Sequence, residues 1–325
     1  MKNSTLFLAF CFVFTCSIPR TGQPCTSFCL DKGDQLVVGY NMDWEKGGGL
    51  VTVNKRNVQK TAKQDPNLHN EQPVSWTSHY GSVTFNCCKG PSAGMNEVGL
   101  TVHALMLIGS EYPAPDSRPY ISRSQWAQYQ LDNFSTVEQV IASDSQLRIS
   151  NPPPRTPRSH YFVCDKTGNC ASVEFIDGKM FYHTKETMPA KALSNSAYEQ
   201  SLTVLKQHVG WSGDLSNLQN QSSLDRFVRA ADLVKKYDPK TSKSVVDYAF
   251  TILAKLKWSI PTQYSIVHDI PGRRIYFRTR ENQKNRVINL NSIDFSGTTP
   301  VKGLDINADL SGDITKKFNE DTHDM

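Results

Sequence analysis

Between Cys25 and Met106, short runs of strand-forming residues alternate with turn residues, and this pattern limits the folds open to the chain more than any other feature. Thr26-Ser27-Phe28-Cys29-Leu30 and Gln35-Leu36-Val37-Val38-Gly39-Tyr40 flank Asp31-Lys32-Gly33-Asp34, which predicts a β-hairpin whose first strand is opened by Cys25. Residues 50–54, 81–87 and 99–106 predict further strands. Helical signals come later: residues 122–132, then Ser135-Thr136-Val137-Glu138, a capping box before an apolar-periodic stretch ending near Ala142. The Pro-rich segment 151–158 cannot continue a helix and predicts a surface loop. A second hairpin follows, with 161–164 and 171–175 around Asp165-Lys166-Thr167-Gly168-Asn169, and Asp177-Gly178 turns the chain again. Helices at 223–237 and 244–258 precede a third hairpin, in which Pro271-Gly272 joins 263–269 to 273–279. From Val301 the chain is polar and weakly periodic, which predicts a loose tail over 301–325. With no internal repeat and no interdomain linker, residues 25–300 read as one large α+β domain.

Residues 1–24 stand apart. Lys2 precedes the apolar run Leu6-Phe7-Leu8-Ala9-Phe10-Cys11-Phe12-Val13-Phe14, which falls short of the roughly 20 residues of a membrane span and gives way to Thr15-Cys16-Ser17. This is the pattern of a secretory signal peptide, and it predicts a secreted or periplasmic protein without a membrane span. Pro24 suits signal peptidase poorly, whereas Thr15 and Ser17 suit it well, so a stub of about residues 18–24 is left for a second cut. A hydrophobic content of 38% beside 21% charged residues supports a packed core. The formal net charge of +5, to which Lys2 and Arg20 of the removable segment contribute, is spread along the chain. Without a basic cluster, a nucleic-acid partner is not expected.

The oxidising destination gives the cysteines meaning. Eight are present, and removal of Cys11 and Cys16 leaves Cys25, Cys29, Cys87, Cys88, Cys164 and Cys170. An even number suggests disulfides, although a chain this long builds a core without them. Cys164 and Cys170 flank a five-residue turn on adjacent strands and are the best candidate pair. No Cys or His spacing matches a zinc site, so no metal is expected. Cys25 differs from the rest. As the first residue of a mature chain, its own α-amine, with a pKa of about 7.7–8.0, would lie within reach of its thiol as a general base. On position alone, a buried or disulfide-bonded cysteine is the better reading.

The surrounding residues reverse that preference. Cys25-Thr26-Ser27-Phe28, Asn41-Met42-Asp43-Trp44, Tyr80-Gly81-Ser82-Val83-Thr84-Phe85-Asn86 and Gly94-Met95-Asn96-Glu97-Val98-Gly99-Leu100 occur in order. They are followed by Leu193-Ser194-Asn195-Ser196, Asp225-Arg226-Phe227-Val228-Arg229 and Tyr264-Ser265-Ile266-Val267. Over roughly residues 25–280 the chain resembles the choloylglycine hydrolase family, the bile salt hydrolases and penicillin V acylases. The resemblance implies a four-layer αββα sandwich of two antiparallel sheets between helices. It implies an N-terminal-nucleophile enzyme that cleaves linear amide C–N bonds through a thioester, with autocatalytic processing, no cofactor and a small-molecule N-acyl amide as substrate.

Carried over residue by residue, the resemblance makes Cys25 the nucleophile, Asp43 the carboxylate that holds the α-ammonium, Asn195 the oxyanion donor, and Arg226 a cation favouring the thiolate. Read alone, each has a plainer role: a turn Asp, a strand-end Asn and a solvated helix Arg, the last of which suits Arg229. Two positions depart from the family. Tyr40 stands where the family has an arginine, and Met106 stands where it has Tyr or Asn. Met106 and Trp44, with Leu105, Leu107 and Ile108, could line an acyl pocket, although such an apolar run is more often core. The substrate therefore stays open among bile acid conjugates, penicillins, acyl-homoserine lactones and other N-acyl amines. Acyl transfer on the same fold, an inactive binding protein and assembly into a homo-oligomer also stay open. None of the eight histidines lies in a recognisable papain-like motif.

Overall fold

Cys25 leads into the strand Thr26–Lys32, which turns through Gly33 into Gln35–Asp43 with Thr26 opposite Asn41, Ser27 opposite Tyr40 and Phe28 opposite Gly39. The turn needs glycine because Gly33 has φ of 63°, where a side chain is strained. Both strands are buried along most of their length on both faces, so Leu36-Val37-Val38 reads as a continuous apolar run rather than an alternation. The computed structural model describes residues 25–63, 68, 71–87, 90–152, 156–208, 218, 222–242, 244–257 and 260–320. The signal-peptide and second-cut expectations, and Cys88, lie outside these residues.

Among the described residues there are two large sheets, both mainly antiparallel. The first runs Ala192–Leu193, Thr26–Lys32, Gln35–Asp43, Thr262–Asp269, Arg274–Thr279, Arg286–Asn289 and Gly312–Asp313. The second runs Lys179–Thr184, Cys170–Ile176, Ser159–Cys164, Thr101–Met106, Gly90–Asn96, Ser82–Cys87, Leu50–Asn54, Lys302–Asp305 and Asn319–Glu320. Five helices cover their outer faces: α1 (Arg123–Asn133), α2 (Val137–Ala142), α3 (Tyr198–Gln207), α4 (Ser223–Lys235) and α5 (Val245–Lys255). Helix α4 packs on Thr26–Lys32 and α5 on Gln35–Asp43 and Thr262–Asp269, while α1 packs on Gly90–Asn96 and Thr101–Met106 and α2 on Cys170–Ile176. The order of layers is therefore αββα, as the resemblance implied.

Strand periodicity makes two cores from one sheet. Phe162 and Cys164 face the first sheet, whereas Tyr161 and Val163 face α1 and α2 with Trp126, Leu131 and Val137. Polar links also cross between the sheets: the Tyr40 hydroxyl donates to the Ala104 carbonyl at 2.9 Å, and Ser27 Oγ lies 2.7 Å from His103 Nδ1. Cys164 and Cys170 lie directly opposite in register and form a disulfide, with Cα atoms 4.1 Å apart. The Cys29 thiol of the first sheet comes within 4.8 Å of both sulfurs, but the disulfide already ties two of the three.

Three expectations need correction. The capping box of α2 is Thr136 with Gln139, one residue beyond Ser135 and Glu138, because the Thr136 side chain accepts from the Gln139 amide. The strand Gly90–Asn96 and the helix α3 carry no terminal signal strong enough to have been predicted. Residues 302–320 are no loose tail: Lys302–Asp305 pairs with Leu50–Asn54 and Gly312–Asp313 pairs in parallel with Arg286–Asn289. These strands lie at or next to a sheet edge and are at most half-buried, so their sequence stays polar, while Ile306, Ile314 and Phe318 supply the buried anchors.

Peptide mapping without reduction should find Cys164 joined to Cys170, with Cys25 and Cys29 as free thiols. Replacing both bonded residues by Ala is expected to cost about 2 kcal/mol in a urea titration, the loop-closure entropy of so short a ring.

Candidate active site

The register that sets Thr26 against Asn41 brings Cys25 beside Met42 and Asp43 at the end of the hairpin. Cys25 is buried. Its Sγ lies 3.7 Å from Met42 Sδ and 3.8 Å from the Tyr40 hydroxyl. Burial, and then the charge of Asp43, push the thiol up to about 11, against the Asp43 backbone N–H, the Tyr40 hydroxyl and the Arg226 cation.

Asp43 is fully buried, and neither carboxylate oxygen has a hydrogen-bond partner among the described residues. Its desolvation pushes it up to about 7, although Thr262, Arg226 and Lys257 favour the ionised form. A carboxylate buried without a donor is costly, and a cation within reach of its oxygens would relieve that cost.

Arg226 enters from the first turn of α4, whose start is held by the Ser222–Asp225 capping box. Burial lowers it to about 10, which leaves it a cation at neutral pH. Its Nε donates to Thr26 Oγ1 at 3.3 Å, its Nη1 to the Ser222 carbonyl at 3.3 Å and its Nη2 to Asn195 Oδ1 at 3.0 Å. Asn195 follows the edge strand Ala192–Leu193 and donates from Nδ2 to the Met106 carbonyl at 2.7 Å. The four residues expected to do chemistry therefore form one connected group, although their sequence separations reach about 200 residues.

The remaining candidates divide. Tyr40 is buried against Cys25 with its hydroxyl donating to the Ala104 carbonyl, so it offers no cation in place of the arginine. Met106 takes part through its backbone carbonyl rather than its N–H. Trp44 is half-buried against the core. Of the apolar run after it, Leu105 and Leu107 are core and Ile108 is 72% exposed, so the run does not line a pocket as a unit. Arg229 donates to the Leu218 carbonyl at 2.6 Å and is half-buried, not simply solvated. A cavity of about 410 Å³, lined by Cys29, Met188, Lys191, Ala231 and Tyr237, contains none of the site residues. Thr26 and Thr262, which contact the site's charges, went unnoticed in the sequence because an isolated threonine in a strand is ordinary.

The model of the family described as linear amide C–N hydrolases, choloylglycine hydrolase family, matches residues 25–303. A penicillin V acylase of Pectobacterium atrosepticum is 31% identical over 226 residues, which is 61% of this chain and 59% of that protein's length. The match thus spans under two thirds of that relative. The structure of penicillin V acylase from Agrobacterium tumefaciens superposes with a TM-score of 0.79 and 26% identity, covering 92% of this chain and 98% of that one. A variant of conjugated bile acid hydrolase from Clostridium perfringens superposes with a TM-score of 0.73 and 21% identity, covering 88% and 98%, a likeness of fold.

The raised Asp43 makes a pH prediction for the uncut chain. Folded, Asp43 keeps its proton up to about pH 7, whereas in the unfolded chain it ionises near 3.8, so folding takes up a proton between these values. Stability of uncut protein, held in that state by Cys25→Ala, should fall as pH rises from about 4 to 7, by at most about 1.4 kcal/mol per pH unit. Adding Asp43→Asn should flatten this slope in urea titrations, and equal slopes would contradict the assignment.

Proposed function

Since the chain belongs to the choloylglycine hydrolase family of linear amide C–N hydrolases, we propose that it hydrolyses small N-acyl amines through a thioester on Cys25, once the Pro24–Cys25 bond has been cut. The observation that carries this reading is the buried carboxylate of Asp43 beside Cys25, which has Thr262 near it but no donor in full hydrogen-bond geometry among the described residues. Cutting the bond creates an α-ammonium at that place, and the two charges then neutralise one another in a site that is otherwise short of a donor.

In the cut protein the free α-amine takes the thiol proton, and the sulfur attacks the substrate carbonyl. The developing oxyanion is met by the Asn195 amide, whose oxygen is held by Arg226 and whose Nδ2 gives one hydrogen to the Met106 carbonyl, so the second Nδ2 hydrogen is the donor offered to substrate. The α-ammonium returns its proton to the leaving amine. Water, deprotonated by the same α-amine, then releases the acid from the thioester. Arg226 lowers the energy of both the thiolate and the oxyanion by its charge. Tyr40 supplies no cation for a substrate carboxylate, so recognition rests on the acyl group and on uncharged contacts. The apolar leader and the Cys164–Cys170 disulfide support a secreted or periplasmic setting.

Intact-mass measurement of active protein should give a chain that begins at Cys25; activity in a chain starting at residue 18 would overturn the mechanism. Cys25→Ala should abolish turnover. Asn195→Ala should lower kcat roughly a hundredfold with little change in KM, as loss of one oxyanion donor does. Wild-type kcat in that variant would make Asn195 a turn residue.

A further inference from the structure

Asn195 sits in a turn gripped at both ends by a buried pair from the second sheet. His160 lies on the strand Ser159–Cys164 and Glu174 on the strand Cys170–Ile176. Both alternate with residues facing α1 and α2, so both point between the sheets, where they are almost wholly buried. His160 Nδ1 lies 2.9 Å from Glu174 Oε1, and His160 Nε2 lies 2.7 Å from the Ser194 carbonyl oxygen. The Glu174 oxygens accept from the Tyr198 N–H at 3.0 and 3.1 Å, at the first residue of α3. A carboxylate at that helix start is favoured by the exposed backbone donors there. The Ser194 hydroxyl completes the fixation by donating to the Ser223 carbonyl at 2.8 Å, in the first turn of the helix that carries Arg226.

The partners settle where the hydrogens are. The Ser194 carbonyl can only accept, so His160 Nε2 is the ring's donor to the turn, while Nδ1 shares a hydrogen bond with the Glu174 carboxyl group. A buried pair of this kind costs more than apolar side chains of equal size and adds little net stability. Its distinct property is geometric, because it holds the backbone on both sides of Asn195 while leaving that side chain to Arg226 and Met106.

We propose that His160 and Glu174 are positioning residues for the oxyanion donor: through the Ser194 carbonyl and the Tyr198 amide they fix the turn that aims Asn195 Nδ2 at the reacting carbonyl. This rests on the reading of Asn195 given above. Neither residue touches substrate. Misdirection of the donor by a fraction of an ångström is expected to cost roughly ten- to a hundredfold in rate.

A double-mutant cycle on matured protein tests this, with acylation of Cys25 by p-nitrophenyl phenylacetate followed as nitrophenolate release. His160→Leu should lower kcat by about tenfold or more with KM within about twofold and with iodoacetamide labelling of Cys25 unchanged. His160→Gln, which keeps a donor for Ser194, should recover most of the rate. In an Asn195→Ala background, His160→Leu should cost less than about twofold, because its effect passes through the missing amide. A full cost in that background, or a wild-type rate in His160→Leu alone, would overturn the proposal. If His160→Leu does not fold, Glu174→Gln carries the same cycle with the same criteria. A wild-type rate in Asn195→Ala alone, or no acylation of the unmodified protein, would instead sink the oxyanion reading beneath it.

Discussion

Antiparallel pairing of Thr26–Lys32 with Gln35–Asp43, buried between a helical layer and a second sheet, is the constraint on which the rest depends. The side-chain period of a strand is two, so a slip of one residue would turn Cys25 away from the inter-sheet space and carry Asp43 out of reach. The Gly33 turn sets the register from one end, and Phe28 over Gly39 reinforces it, since a Cβ at Gly39 would meet the Phe28 ring at 2.4 Å. The register thus fixes the distance between the Cys25 thiol and the Asp43 carboxylate before any helix contributes. Helix α4 then adds Arg226 to the same point.

Burial gives the site its electrostatic character. Cys25, Asp43 and Arg226 are each pushed toward their neutral form by desolvation; Arg226 opposes this at Cys25 and Asp43 and they oppose it at Arg226, whereas Asp43 adds to it at Cys25. The balance is incomplete at Asp43, whose carboxylate meets no donor in full hydrogen-bond geometry among the described residues and leans on Thr262. Under the proposed maturation, an α-ammonium at Cys25 would supply the missing charge and change the chemistry of the site.

Much of this was legible in the sequence, for identifiable reasons. The hairpins around Gly33, Gly168 and Pro271-Gly272 carry strong turn residues, and the strand Leu50–Asn54 has the predicted bounds because Gly47-Gly48-Gly49 precede it and Lys55-Arg56-Asn57 follow it. That Cys25, Asp43, Asn195 and Arg226 would lie together was suggested by motifs in order, not by periodicity, which has no means of joining Cys25 to Asn195. His160 and Glu174 were invisible because a single His in an apolar run and a Glu between Val173 and Phe175 look like an ordinary core histidine and a strand-edge charge. The closing strands after Val301 were lost for the same reason: their partners, Leu50–Asn54 and Arg286–Asn289, are distant in the chain and supply the burial that local composition does not show.

The interleaving of strands also carries a consequence for the order of events during synthesis. Gln35–Asp43 lies between Thr26–Lys32 and Thr262–Asp269, so the earliest hairpin waits for a partner made more than 200 residues later. Asn195 and Arg226 arrive in between. Contacts of such separation are entropically slow to close. A ribosome must therefore release most of the chain before Cys25 meets its full set of neighbours, and a cut that depends on those neighbours is timed by the completion of folding itself.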